Sequence, residues 1–221
     1  MYNFTFNIPT KIHFGKDTIS NLSELKAYGS KVLLVYGGGS IKKNGLYDTA
    51  MKILKDAGLT VFELSGVEPN PKIETVRKGV EICKNEGIDM VLAIGGGSTI
   101  DCSKVVAAGA KGVKSGAEVA GAKYDGDAWD LVLDGSKVKA ALPIFDVLTL
   151  SATGTEMDPF AVISDMSKNE KWGTGSPYMV PTMSILNPEY TFSVSKKQTA
   201  AGTADMMSHT MENYFSMEKK G

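Results

Sequence analysis

Apolar positions along the chain change their spacing in a regular way, and that spacing predicts alternating strands and helices. Lys31–Tyr36 (KVLLVY) is a continuous apolar run of strand length, as expected for a strand covered on both faces. Leu46, Ala50, Ile53, Leu54 and Ala57 then recur at helical spacing, and Gly58 supplies a stop. Leu59–Leu64 reads as a second strand, and Ile73, Val76, Val80 and Cys83 share one helical face. Asp89–Ile94 (DMVLAI) is a third buried strand, followed by a helix that opens at about Ser98. Leu142–Leu148 and Met183–Leu186 read as later strands. Strand and helix alternating with short links predict an α/β fold with a parallel sheet covered by helices.

The two ends follow other patterns. Residues 3–7 and 10–14 alternate polar and apolar and predict two short strands broken at Pro9. From Ser195 onward, SVSKKQTAAGTADMMSHTMENYF reads as one helix. The expected division is an α/β domain over 1–194 and the first helix of an all-helical domain over 195–221. Ala-Gly-Ala-Lys occurs at 108–111 and again at 120–123 with Gly-rich filler between, which marks a small insertion near 112–121, most simply a surface loop.

Composition narrows the class. The chain has 221 residues, 43% hydrophobic and 22% charged, with net charge −1, the profile of a soluble globular protein that buries a sizeable core. No basic block suits nucleic acid, no apolar run is long enough to span a membrane, and the N-terminus lacks the apolar core of a signal peptide. Cys83 and Cys102 both fall in expected helices and read as reduced packing residues, so the expected setting is cytoplasmic.

Two glycine runs follow two of the apolar strands: Gly37-Gly38-Gly39-Ser40 after KVLLVY, and Gly95-Gly96-Gly97-Ser98 after DMVLAI. A phosphate must approach the backbone closely, which a Cβ would block, and free N–H groups at a helix start bind the anion. Ser98 is positioned to cap its helix and to donate to phosphate. A single such run is equally well a tight turn. Two at the carboxyl ends of parallel strands favour a dinucleotide site, although neither is the G-x-G-x-x-G fingerprint. Val67-Glu68-Pro69-Asn70-Pro71 is either a rigid turn or an amide held beside a ligand. Leu148-Thr149-Leu150-Ser151-Ala152-Thr153-Gly154-Thr155-Glu156 is a hydroxyl-rich turn after a strand, suited to phosphate or ribose but also common in loops. Asp205 and His209, four apart, share one helix face, where they either ligate one divalent metal or bond to each other.

Taken in order, VYGGGSIKKNG, SGVEPNP, AIGGGSTIDCSK, TLSATGTEMD and AAGTADMMSHTMENYF resemble the iron-dependent alcohol dehydrogenases, in particular their butanol dehydrogenase branch. The resemblance spans nearly all of the chain apart from 112–121. It implies a dehydroquinate-synthase-like dinucleotide domain followed by a helical metal-binding domain, and an enzyme that interconverts primary alcohols and aldehydes with NADP(H) and a divalent metal, Fe²⁺ or Zn²⁺. It implies that Gly37, Gly38, Gly39 and Ser40 meet the adenosine ribose with Asn70 nearby, and that Gly95, Gly96, Gly97 and Ser98 hold the pyrophosphate. Thr149 and Thr153 would flank the nicotinamide with Asp158 near them, Lys171 would lie at the nicotinamide ribose, and Asp101 close to substrate and nicotinamide. Asp205 and His209 match the first two of four metal ligands. The other two are histidines in the family, and the only other histidine here is His13. The resemblance therefore implies a truncated second domain, no activity from the 221-residue chain alone, and a homodimer formed through the N-terminal strand region. NADP(H) is also expected on charge grounds: no acidic residue follows the first glycine run until Asp48, and Lys42 and Lys43 lie just beyond it.

Overall fold

The computed structural model describes residues 3, 5, 7–111 and 126–216. The strands are β1 (Lys11–Phe14), β2 (Lys31–Tyr36), β3 (Thr60–Leu64), β4 (Met90–Gly95), β5 (Ile144–Leu148), β6 (Phe160–Asp165), β7 (Glu170–Gly175) and β8 (Met183–Leu186). The helices are α1 (Ser40–Lys43), α2 (Leu46–Asp56), α3 (Ile73–Glu86), α4 (Gly97–Ala110), α5 (Ala128–Leu133) and α6 (Lys196–Phe215). Six strands form one sheet in the order β1-β8-β5-β4-β2-β3, every pair parallel.

Why the central strands read as unbroken apolar runs is now plain: both of their faces are covered. Leu33, Val35 and Val91 point into a core shared with Val76, Cys83, Cys102, Val105 and Trp129, from α3, α4 and α5. Val32, Leu34, Tyr36, Leu92 and Ile94 point the other way, against Ala50 and Leu54 of α2 and Leu22 and Leu25 of a 3₁₀ helix at Thr18–Tyr28. Both cysteines are buried and free.

Some expectations need correction. Of the strand expected at 3–7, Asn3, Thr5 and Asn7 lie in no strand, and Phe4 and Phe6 fall outside the described residues. Only Lys11–Phe14 of the second segment pairs, parallel to β8, at one edge of the sheet. The proposed insertion at 112–121 lies outside the described residues. Helix α4 starts at Gly97 with Gly96 as N-cap, so Ser98 is already inside its first turn and does not cap it. The 3₁₀ helix, α5 and an antiparallel hairpin of β6 and β7 were not expected from spacing. The hairpin's tight connection uses Asn169 at φ 54°, a left-handed conformation that asparagine tolerates better than most residues.

Candidate functional site

Parallel pairing of β2 with β4 brings the two glycine runs to the same, carboxyl-terminal edge of the sheet. A Cβ at Gly37 would stand 3.3 Å from the Val67 carbonyl oxygen and 4.0 Å from the Thr99 hydroxyl, so the first run touches both the VEPNP loop and the start of α4. Gly38 has open space around its missing Cβ, while Gly39 adopts φ +98°. In the second run, a Cβ on Gly96 would meet Leu150 and one on Gly97 would meet Thr153 Oγ1, each at 3.2 Å. The hydroxyl-rich turn after β5 therefore seats directly on the second glycine run. Thr149 ties in as well, its N–H donating to the Gly95 carbonyl at 2.9 Å. The Gly97 and Ser98 N–H groups precede the first bonds of α4, which Thr99 and Ile100 donate to the Gly96 carbonyl, and are a ready donor pair for an anion.

Asn70 joins three segments that are far apart in sequence. Held at φ 55°, it donates its backbone N–H to Ser98 Oγ at 3.3 Å and accepts at Oδ1 from Lys171 Nζ at 2.7 Å. The rigid loop, the second glycine run and β7 thus meet at one amide.

The acidic residues are placed differently. Asp101 accepts from Thr155 Oγ1 at 2.7 Å and from the Val162 N–H at 2.9 Å, so both its oxygens are engaged. Burial pushes its carboxyl above the usual range, against the pull of those two bonds. Asp158 accepts at Oδ1 from Lys104 Nζ and from the Phe160 N–H, both at 2.8 Å. Lys104 is fully buried, and its ammonium also reaches Thr155 Oγ1 and the carbonyls of Asp158 and Phe160 at 2.8 Å. Burial lowers the Lys104 pKa, with Asp158 opposing the shift. Glu156, beside them, is raised by burial. The sequence carries a signal for Lys104: it is the one cation between Ile100 and Ala110, a stretch whose only other charge is Asp101.

A second missed residue is Glu63. It stands next to last in β3, and β3 pairs parallel to β2. Tyr36 and Tyr47 donate to its two oxygens at 2.6 and 2.7 Å, and Lys42 Nζ lies 3.9 Å away, over the rings of Tyr47 at 4.4 Å and Tyr36 at 5.0 Å. Burial alone would raise Glu63, but the two tyrosine bonds and Lys42 outweigh it and hold the carboxyl below the usual range. A carboxylate at this end of the second strand, about 20 residues beyond a glycine loop, is where dinucleotide folds read the adenosine ribose.

Asp205 and His209 face each other on α6 with Nε2 and Oδ1 3.7 Å apart, both substantially exposed. A carboxylate and an imidazole one turn apart suit Fe²⁺ or Zn²⁺, yet a stable site takes three or four such donors. Among the described residues no group of three or more His, Cys, Asp or Glu could hold a metal. Helix α6 buries only Gly202, whose missing Cβ would lie 3.0 Å from the Ser151 carbonyl. The helix carrying the pair is thus anchored on the hydroxyl-rich turn. No helix of the described residues is long and apolar enough to cross a membrane.

The family model for iron-containing alcohol dehydrogenase matches residues 9–188. NADH-dependent butanol dehydrogenase A of Clostridium acetobutylicum is 58% identical over 98% of this chain and 53% of its own length. The NADPH-dependent aldehyde reductase YqhD of Escherichia coli is 38% identical over 97% of this chain and 52% of its own. The crystal structure of NADH-dependent butanol dehydrogenase A from Thermotoga maritima superposes with a TM-score of 0.89 at 46% identity, covering 97% of this chain and 52% of that one. The chain spans about half the length of the relatives it matches.

Proposed function

We propose that this chain, which belongs to the iron-containing alcohol dehydrogenase family, is the coenzyme-binding portion of an enzyme that interconverts primary alcohols and aldehydes. The observation that carries the reading is the pair of glycine runs on adjacent parallel strands, joined through Asn70 to Ser98 and Lys171. Gly37, Gly38, Gly39 and Ser40 would line the adenosine ribose, and the open N–H groups at Gly97 and Ser98, with Gly95 and Gly96 leaving room, would hold the pyrophosphate. Thr149, Thr153 and Lys171 would bracket the nicotinamide end. Asp158 and Asp101 would stand behind them, acting through the groups they bond rather than on the substrate. Gly38 faces open space that a Cβ would narrow, which fits a close-lying dinucleotide.

Asp205 and His209 would supply two ligands to a divalent metal. When bound, that metal polarises the carbonyl oxygen and the coenzyme supplies or accepts the hydride. This chain's own groups bind and orient the dinucleotide and present the two ligands from a helix anchored at Gly202. Residues 1–194 would then form the coenzyme domain and 195–221 the first helix of a helical domain. A narrower reading, a nucleotide-binding module without turnover, is favoured for the 221 residues alone by the two-donor metal pair.

Coenzyme choice turns on Lys42 and Glu63. Lys42 and the acid-free stretch 37–47 support NADP(H), as the sequence suggested. Glu63 supports NADH, because it neutralises Lys42 and sits where a ribose 2′-hydroxyl would be read. The butanol dehydrogenases of C. acetobutylicum and T. maritima are named NADH-dependent, which adds weight on that side. We therefore infer binding of both coenzymes, with NADH the tighter. Homodimerisation would use β1, an edge strand with exposed Ile12 and Phe14. Two buried, free cysteines fit a reducing, cytoplasmic setting. Titration of the chain with NADH and NADPH, followed by nicotinamide fluorescence, tests the reading. Saturable binding of both is expected; absence of binding by either would overturn it.

A further inference from the structure

We propose that the turn following β5 is held in its coenzyme-facing conformation by two buried hydrogen-bond relays, in which Asp146 donates through Ser184 and Lys104 donates through Thr155, making Asp146 and Lys104 positioning residues for nucleotide binding. The proposal deepens the coenzyme reading above and rests on it.

The first relay follows from counting hydrogens. Ser184 Oγ lies 2.6 Å from Asp146 Oδ2 and 2.7 Å from the Glu156 carbonyl oxygen. A serine hydroxyl carries one hydrogen and a carbonyl carries none. Were Asp146 ionised, two acceptors would compete for that one hydrogen, and one short contact would be lone pair against lone pair. With a proton on Asp146 every contact is satisfied: its O–H donates to Ser184, and the Ser184 O–H donates to Glu156. The surroundings agree. Asp146 and Ser184 are directly opposed on β5 and β8, and both are fully buried. Asp146 Oδ1 has no hydrogen-bond partner at all, which suits a neutral acid far better than a carboxylate. Facing charges are Glu156, which disfavours ionisation, and Lys104, which favours it; burial dominates and sends the Asp146 pKa well above the usual carboxylate range.

The second relay has the same logic. Lys104 Nζ lies 2.8 Å from four acceptors, Thr155 Oγ1, Asp158 Oδ1, and the carbonyls of Asp158 and Phe160. An ammonium has three hydrogens, so it is more than saturated and stays charged in a fully buried position. Thr155 accepts from Lys104 and passes its own hydrogen to Asp101 at 2.7 Å. Residues 155, 158 and 160 are therefore gripped from α4 by Lys104, and 156 from the sheet by Ser184, while Thr149 and Thr153 of the same turn meet the second glycine run. The turn hinges at Gly154, φ +76°, and the two relays hold the residues that follow that hinge.

The test uses Asp146→Asn, Asp146→Leu, Ser184→Ala and Lys104→Met, each checked for a native circular dichroism spectrum. Asn can donate to Ser184 as the protonated acid does, so Asp146→Asn is expected to bind NADH within about twofold of the parent. Asp146→Leu, Ser184→Ala and Lys104→Met are expected to lose about tenfold. The infrared difference spectrum of parent minus Asp146→Asn at neutral pH should show the carbonyl stretch of a protonated carboxylic acid. A folded-state pKa raised above the unfolded value stabilises below the unfolded pKa and is lost as pH rises through the folded one, so the parent should lose stability relative to Asp146→Asn on going alkaline. Absence of the carboxylic acid band, or unchanged NADH affinity in a folded Ser184→Ala and Lys104→Met, would overturn the proposal. If the parent itself binds neither coenzyme, the coenzyme reading fails with it, while the infrared band still decides where the proton sits.

Discussion

Gly38→Asp separates the coenzyme's needs from those of the fold. A Cβ at Gly38 meets nothing within 4 Å, and Gly38 is absent from the positive-φ residues, so the fold should lose no more than about 0.5 kcal/mol, as for an ordinary surface change. Gly39, at φ +98°, offers no such clean test. An aspartate at 38 puts one negative charge at the mouth of the first glycine run. Two negative charges of a 2′-phosphate at about 6 Å, even screened as in bulk water, would be repelled by about 1.4 kcal/mol, or about tenfold in affinity. The ribose 2′-hydroxyl of NADH can instead donate to the same carboxylate. The ratio of NADPH to NADH affinity should therefore fall about tenfold, more at low salt than at moderate salt. Isothermal titration with both reduced coenzymes at two salt concentrations, alongside thermal denaturation, measures all three quantities. Equal weakening of both coenzymes, or no change in either with the fold intact, would refute the assignment of Gly38 to the ribose.

Lys42→Met should weaken NADPH binding severalfold and leave NADH binding nearly unchanged, because the ammonium beside Glu63 stands in the short helix that follows the first glycine run; an equal effect on both coenzymes would remove Lys42 from phosphate recognition. The 221-residue chain should bind Zn²⁺ or Fe²⁺ weakly through Asp205 and His209, lose that binding on His209→Ala, and show no chelator-sensitive oxidation of butanol; robust turnover would show that two donors suffice. Cys83 and Cys102 have thiols pushed up to about 12 by burial, so a thiol reagent should label neither at pH 8 until denaturant is added, and prompt labelling of the native chain would contradict their burial.

The parallel sheet was legible because its strands are buried on both faces. β2 and β8 match the expected bounds to the residue, and β3 and β4 differ by about one residue at their ends. The hairpin was not, since the exposed positions Phe160, Val162 and Trp172 are themselves apolar, so the in-out alternation of β6 leaves no polar-apolar alternation in the sequence. The 3₁₀ helix left a trace that a 3.6-residue template misses: Ile19, Leu22 and Leu25, its buried residues, recur every third position, the period of that helix. The glycine runs, Asn70 and the hydroxyl-rich turn announced the site because close backbone approach restricts residue choice locally. Glu63 did not, because only strand pairing brings it beside Lys42. Asp146 was visible as a lone charge within an apolar strand and Lys104 as the lone cation of its helix, but their partners lie more than 30 residues away and no local pattern reveals them.

Hydrogen–deuterium exchange with and without saturating NADH tests the central claim most directly, because it reports on backbone amides rather than on turnover. Protection confined to peptides covering 37–40, 67–71, 95–98 and 149–158 is the predicted result, with the first turn of α4 protected most. Unchanged exchange in both glycine runs while NADH is bound, or protection only at some other surface, would contradict a dinucleotide site at the carboxyl edge of this sheet.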